Sequence, residues 1–310
     1  GVGIGGLDVT EASMKSYISS EMTRVPPMTI PELIPNEAAA NVSLQFGLHG
    51  ATHTVATACA SGTDAIGNAL DVIRSGRYDV ILAGGAESTI CGFGTLSFTV
   101  LHALSSKWAD DPSKACRPFD KDRDGFIMGE GATILVLEEY EHAKARGAEI
   151  LGEITGYGNT CDAHHVTAPR PDGITQSAAI RMALEESGYT SDDTLYINAH
   201  GTGTALNDVS ETVAFKLALG DDAYKAHISS TKGSTGHMLG AAGAVEAVAT
   251  VLALKHGTVP PTINLDEIEP ECDLNYTPNN PVSADLTLAI SDSLGFGGHN
   301  GCLAFRKYVE

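Results

Sequence analysis

TACASG, residues 57–62, lies where an apolar, β-branched run (residues 53–58) gives way to a helix-forming stretch (residues 63–75). The small residues around Cys59 leave room for a substrate to reach the sulfur. A nucleophile on a strand-to-helix turn is a recurring way to expose a reactive atom. A free cysteine is by default a small buried hydrophobe. Here the helix opening near Ser61 aims its positive end at the sulfur, which predicts a lowered thiol pKa. Two later histidines occupy similar places. His200 in NAHGTGT (198–204) and His237 in TKGSTGHMLGAAG (231–243) follow β-like runs, in turns rich in Gly and Thr. Singly, each reads as a loop histidine. Together with Cys59 they supply a nucleophile and two proton or oxyanion partners. Lys232, five residues before His237, joins them.

The pattern around these turns sets the fold class. Strand-like runs cover residues 53–58, 79–83, 133–137, 150–155, 195–199, 226–230 and 302–305. Helix-like stretches cover 36–45, 63–75, 139–146, 174–187, 208–219 and 238–254. Glycines follow the helices at Ser75-Gly76 and Arg146-Gly147, where a left-handed cap is easiest. The alternation predicts a layered α/β architecture with mostly buried sheets. A seam near residue 148 divides it into 1–148, carrying the nucleophile, and 149–310, carrying the histidines.

Composition narrows the function. The 310 residues include 19 Lys and Arg against 39 Asp and Glu, a net charge of −20, which disfavours nonspecific binding to nucleic acid or anionic lipid. The most apolar helix candidate, residues 238–254, is interrupted by Glu246, which argues against a membrane span. The six cysteines are scattered without a CxxC, the pattern of reduced thiols in a cytoplasmic compartment.

Other motifs carry less. Cys59, His165, His200 and His237 could be read as metal ligands, but no close-spaced ligand pair supports this. DKDRDG (120–125) imitates the start of a calcium loop, yet position twelve falls on Gly131 and the following ATILVLEE reads as a strand. GVGIGG (1–6), with Glu21 downstream, is a weak dinucleotide signal without a preceding strand. SLGFGGHNG (293–301) predicts a mobile glycine-rich loop lining a pocket. Glu246 predicts a buried structural carboxylate beside a cation.

TACASG, RPFDKDRDGFIMGEGA, NAHGTGT, STKGSTGHMLGAAGAVE, PPTINLD and SLGFGGHNG occur in the order found in β-ketoacyl-acyl-carrier-protein synthases. The chain resembles the elongating synthase II type from Gly1 to about Arg306. Polyketide ketosynthases share the Cys–His–His plan, but TKGSTGH is closer to the fatty-acid enzyme. The resemblance implies a thiolase-like α-β-α-β-α fold of two similar halves, the first N-terminally incomplete because family members extend before the point matching Gly1. It implies that Cys59 accepts an acyl group from acyl-carrier protein, with the backbone N–H groups of Cys59 and Phe296 as oxyanion donors. His200 and His237 then bind the malonyl thioester and stabilise the enolate formed on decarboxylation. Lys232 orients or charge-tunes His237, and Glu246 is structural. Thr202 and Thr204 contact the phosphopantetheine arm, Phe296 is a gate, and Ile4 and Phe98 line or gate the acyl channel. No redox cofactor is implied, while a structural monovalent cation is left open. The expected partners are acyl-carrier protein and a second copy of the chain, with docking cations around Arg24 and Lys107; His102 stands where the family usually has Arg. The rivals are a thiol- or metal-dependent hydrolase, a ketosynthase of a polyketide or other secondary pathway, and an inactive partner subunit or fragment.

Overall fold

A computed structural model describes residues 1–19 and 25–309 of the chain. In the first half, helices α1 (Leu7–Ser19), α2 (Thr29–Leu33), α3 (Glu37–Phe46) and α4 (Ser61–Arg74) precede strand β1 (Val80–Glu87). Helix α5 (Gly92–Val100), strand β2 (Gly131–Glu138) and helix α6 (Tyr140–Ala145) follow. The second half runs β3 (Glu153–Cys161), α7 (Ile174–Glu186), β4 (Leu195–Asn198), α8 (Ala205–Leu219), β5 (His227–Ser229), α9 (Lys232–Thr235) and α10 (Ala242–His256). It ends with the short strands β6 (Thr258–Val259) and β7 (Val282–Ser283) and the hairpin β8 (Leu288–Gly295) and β9 (His299–Arg306).

Among the described residues β1 and β2 pair antiparallel, and a five-stranded sheet runs β3-β9-β8-β4-β5. Helices α4 and α10 pack against both sheets. Between the sheets they bury Ile66, Leu70, Ala247 and Leu254 with Leu137 of β2 and Leu303 and Phe305 of β9. On the other face of the five-stranded sheet, α7 and α8 bury Ile180, Leu184 and Phe215 against Ile197, Ile228 and Ile290. The outer face of the β1–β2 pair is open, with Val80, Ile134 and Val136 exposed. This is the layered thiolase-like arrangement, with a smaller first sheet.

Most expected elements are present, and the differences have physical causes. Residues 53–57 form no strand, and Ala58 already belongs to a 3₁₀ turn. Val55 O accepts from Val2 N at 3.0 Å, and no ladder partner lies beside this segment among the described residues. Strand β1 runs past residue 83 through Gly84 and Gly85. A Cβ on Gly84 would lie 1.9 Å from Thr133 O, so a glycine pair that reads as a turn instead lets the backbones approach. Strand β8 carries no strand pattern, because Ser291, Asp292 and Ser293 interrupt it with buried polar side chains. Residues 150–152 lie outside β3, which continues to Cys161 along β9. Gly76 and Gly147 adopt φ of 70° and 68°, the left-handed caps expected of them. Glu21 of the dinucleotide-like opening lies outside the described residues.

The central layer is tight where α4 meets α10: a Cβ on Gly243 would lie 2.1 Å from Thr63 Oγ1 and 2.8 Å from Thr63 N. Gly243→Ala is therefore expected to destabilise the fold by roughly 1–3 kcal/mol or more, read as a lowered urea midpoint. Gly76→Ala meets no atom within 4 Å but keeps its positive φ. It should cost only about 1 kcal/mol.

Candidate active site

Cys59 sits in a single 3₁₀ turn, Ala58–Ala60, that feeds directly into α4. Ala58 is held at φ 51°, a left-handed conformation uncommon for a residue with a Cβ. Ser61 fixes the turn: its Oγ accepts from Thr57 N at 2.9 Å and donates to Ala58 O at 2.6 Å. The sulfur lines a cavity of about 300 Å³ together with His200, His237, Thr202, Thr204, Phe98 and Phe296. Segments as distant in sequence as those carrying Cys59, His200, His237 and Phe296 thus converge on one space.

The two histidines arrive by different routes. His200 follows β4, and Glu211 of α8 anchors its loop by accepting from His200 N at 2.6 Å and Gly201 N at 2.8 Å. His237 forms an isolated bridge with Met128, its N–H donating to Ile127 O at 2.7 Å. The rings stand edge to face, centroids 5.2 Å apart, and Phe126 packs on His237 at the same distance.

Lys232 is buried beneath them. Its ammonium pairs with Glu246 and donates to His200 Nδ1 at 3.3 Å. An ammonium has no acceptor, so His200 must accept at Nδ1 and carry its proton on Nε2. Lys232 was expected to orient or charge-tune His237; the short helix α9 turns its side chain toward His200. Its charge still acts on both rings: burial first, and then Lys232, lowers each imidazole pKa well below the ordinary value. Both are therefore neutral at pH 7. His237 Nδ1 is buried with no partner among the described residues. Glu246 is the buried structural carboxylate expected of it, and the cation beside it is the Lys232 ammonium.

The sulfur does not behave as a helix N-terminus alone predicts. Burial pushes the Cys59 thiol up to about 12, Glu87 adds to the rise, and Lys232 and the Phe296 N–H oppose it. Desolvation of a thiolate outweighs the favourable charge and dipole nearby. Cys59 rests as a thiol beside neutral imidazoles, with the Phe296 N–H directed at its sulfur.

SLGFGGHNG forms the end of β8, a turn and the start of β9. Gly297 and Gly298 take φ of 93° and 82° to close it, which places Phe296 at the cavity. Thr202 and Thr204 share a 3.0 Å hydroxyl contact, and Phe98 packs edge-on to Phe126 at 5.5 Å. Ile4 is not in the cavity lining and is 40% exposed. Its segment instead wraps the buried Glu87 carboxylate, which accepts from Gly3 N, Ile4 N and Gly5 N and also from Gly240 N. His165 is likewise outside the lining, its Nδ1 accepting from Thr167 N and Ala168 N. Residues 120–125 form an ion-paired knot: Arg117 meets Asp120, while Arg123 meets Asp208 and Glu269. Arg123 also donates to Thr204 O and Ala205 O, fixing the loop that carries the two threonines. Arg24 lies outside the described residues; His102 reaches the cavity lining.

Leu101, Leu206, Leu239 and His299 complete the wall. Leu239 and His299 lie in stretches the sequence singled out, whereas nothing in the context of Leu101 and Leu206 sets them apart from ordinary helix filling. Glu211 likewise reads as an ordinary helical acid, and only the tertiary structure places it under His200.

Two family models cover most of the chain: beta-ketoacyl synthase, N-terminal domain, over residues 1–143, and beta-ketoacyl synthase, C-terminal domain, over 151–266. The chain belongs to the β-ketoacyl synthase family. It is 49% identical over 308 residues to 3-oxoacyl-[acyl-carrier-protein] synthase 2 of Synechocystis sp., covering 99% of this chain and 74% of that protein. The Staphylococcus aureus protein of the same name is 45% identical with the same coverage. A solved β-ketoacyl synthase from Burkholderia phymatum superposes with TM-score 0.92 at 40% identity, over 100% of this chain and 74% of that one. A ketosynthase in a type II polyketide complex with its acyl-carrier protein gives TM-score 0.93 at 36% identity, over 100% and 78%. A cysteine that rests as a buried thiol has a distinctive labelling profile. Iodoacetamide modification of Cys59, followed by peptide mass, should rise steadily with pH through 8 to 10 without a plateau near the ordinary thiol pKa. Lys232→Met removes the cation that lowers the thiol pKa and should slow labelling at pH 8.

Proposed function

We propose that this chain performs the decarboxylative Claisen condensation of malonyl-acyl-carrier protein with an acyl group held on Cys59, giving 3-oxoacyl-acyl-carrier protein in fatty-acid elongation. The observation that carries this reading is one cavity in which a thiol, two neutral imidazoles and a backbone N–H aimed at the sulfur converge.

The chemistry follows from the protonation states. Cys59 attacks the carrier-bound thioester as its proton passes to the departing pantetheine sulfur, and the acyl chain remains on Cys59. The N–H groups of Cys59 and Phe296 stabilise the oxyanion that forms. Malonyl thioester then enters beside Thr202 and Thr204. Its carboxylate leaves as carbon dioxide, and the electrons of the broken C–C bond move into an enolate. The Nε2–H of His200 is a fixed donor to the enolate oxygen, because Lys232 holds Nδ1 as an acceptor. His237, its Nδ1 otherwise unpartnered, is the second imidazole at this oxygen. The enolate carbon attacks the acyl-Cys59 carbonyl, the C–S bond breaks, and the sulfur takes up a proton from solvent, the one proton the overall condensation consumes. The substrates carry the carbon chemistry on phosphopantetheine, so the reading requires no redox cofactor.

Fatty-acid elongation is favoured over a polyketide pathway because the 45–49% relatives are named 3-oxoacyl-[acyl-carrier-protein] synthase 2, against 36% for the polyketide ketosynthase. The assembled Cys59, His200, His237 and Lys232 favour an active subunit over an inert partner. We further propose acyl-carrier protein as the partner, docking near exposed Lys107, with the seam near residue 148 dividing nucleophile and histidine halves. A homodimer is supported by the segment at residues 51–57, which joins no sheet among the described residues, and by exposed Leu44, Phe46 and Leu96, which are available to a second copy. A cytoplasmic setting is supported by six free cysteines. The apolar window Leu239–His256 is long enough to cross a membrane by composition, but 61% of it is buried and it packs between the two sheets.

Acyl-carrier protein loaded with a fatty acyl group should add one acyl mass to the chain, and Cys59→Ala should abolish the adduct. An adduct that survives the substitution sinks the assignment. His237→Ala should still acylate but lose malonyl decarboxylation by roughly a hundred-fold or more. Loss of acylation alone would reverse the division of labour.

A further inference from the structure

Asp64 lies in the first turn of α4, shortly after the nucleophile, and is 5% exposed. A carboxylate taken out of water is costly unless its oxygens are satisfied. Here each oxygen has a hydroxyl: Oδ2 accepts from Thr57 Oγ1 at 2.6 Å, and Oδ1 from the Tyr157 hydroxyl at 2.7 Å. Tyr157, on β3, itself accepts from Asn159 Nδ2 at 2.9 Å, which leaves its own proton for Asp64. A Cβ on Gly67 would lie 2.3 Å from the Tyr157 ring, so a glycine in α4 clears the tyrosine's path to the acid. One carboxylate thereby joins the sheet of the second half to the segment that leads into Cys59. The condensation described above gives it no part.

Thr57 is held at three atoms. Its N–H donates to Ser61 Oγ at 2.9 Å, its carbonyl accepts from Ala60 N at 3.0 Å, and its hydroxyl donates to Asp64. The first two bonds close within residues 57–61, whereas the third ties the turn to an acid anchored on β3. The next residue is Ala58, at φ 51°. Such a conformation in a residue with a Cβ persists only where its surroundings over-determine it. The turn also packs against the strand that carries the second oxyanion donor. A Cβ on Gly295 would lie 2.5 Å from Thr57 O and 3.3 Å from Cys59 N. Phe296 follows, with its N–H directed at the Cys59 sulfur. Displacing Thr57 therefore moves the Cys59 N–H relative to the Phe296 N–H.

We propose that Asp64 is a positioning residue for Cys59: by holding the Thr57 hydroxyl it keeps the strained turn closed and the Cys59 and Phe296 N–H groups aimed at one oxyanion. Asp64 touches neither substrate nor reacting atoms in this role. The kinetic consequence rests on the condensing function proposed above, whereas the clamp on the turn can be tested without it. Acylation of Cys59 uses this pair of donors, while malonyl decarboxylation takes place at His200 and His237. Cutting the clamp should separate the two steps.

The test compares the full chain with Thr57→Val, Thr57→Ser and Asp64→Ala. Val keeps the shape of Thr and the charge of Asp64 but removes the donor; Ser keeps the donor. In Thr57→Val, acylation of Cys59 by acyl-carrier protein loaded with a fatty acyl group should slow about ten-fold or more, because the oxyanion donors lose alignment. Malonyl-acyl-carrier protein decarboxylation should stay within roughly two-fold. Thr57→Ser should acylate within roughly three-fold of wild type. Asp64→Ala should match Thr57→Val, and the double variant should be no slower than either single one. Iodoacetamide labelling of Cys59 at pH 8 should move the opposite way. Burial is the largest cause of the raised thiol pKa, so a loosened turn exposes the sulfur, and Thr57→Val should label about three-fold faster or more. Equal losses of acylation and decarboxylation, a Ser variant as slow as Val, or unchanged labelling in Thr57→Val overturns the proposal. If Asp64→Ala does not fold, the two Thr57 variants still decide it. If wild type fails to acylate Cys59, the functional reading falls, and labelling of Thr57→Val against Thr57→Ser still judges the clamp.

Discussion

The active site depends on one buried ammonium. Lys232 is 1% exposed, paired with Glu246 on α10 and donating to His200 Nδ1. Removing either partner of such a pair strands a charge in the interior, at a cost of about 3–5 kcal/mol. That constraint fixes α9 against α10 and α9 against the His200 loop. It also sets the tautomer of His200 and lowers the basicity of both imidazoles. Burial of the two imidazoles, reinforced by this lysine, keeps them neutral, and the lysine fixes which nitrogen of His200 can donate.

Carboxylates do similar work on the backbone. Glu87 gathers the N–H groups of Gly3, Ile4, Gly5 and Gly240, and Glu211 gathers those of His200 and Gly201. Asp208 holds Phe119 N and Gly203 N, and Asp120 holds Asp122 N, Asp266 N and Glu267 N. Loops that would otherwise bury unpaired N–H groups are organised around acids from distant segments. Part of the −20 net charge therefore resides inside the molecule as loop scaffolding, and total charge is a poor guide to what its surface can bind.

Much of this was legible in the chain. Periodicity located the helices of the central layer and the strands that end at His200 and near Lys232, because packing on one face leaves a repeating apolar pattern. Motif context selected Cys59, His200, His237, Lys232 and Phe296, and all five meet at or beside one cavity. Residues 53–58 misread because an apolar β-branched run becomes a strand only when a ladder partner lies beside it. Strand β8 was missed because Ser291, Asp292 and Ser293 break its buried apolar run; Ser293 and Asp292 find hydrogen-bond partners on α4 and α7.

Sequence by itself pointed to the layered α/β class and to the cysteine and two histidines that share the cavity, since small-residue turns after apolar runs and reactive residue types are local facts. Only the tertiary structure decided that Lys232 serves His200 by hydrogen bond and that Ile4 lies away from the cavity. It alone showed Cys59 resting as a thiol and Glu211 holding the His200 loop by its N–H groups. Those outcomes depend on burial and on which distant polar atoms meet, and neither quantity is written in the spacing of residues along the chain.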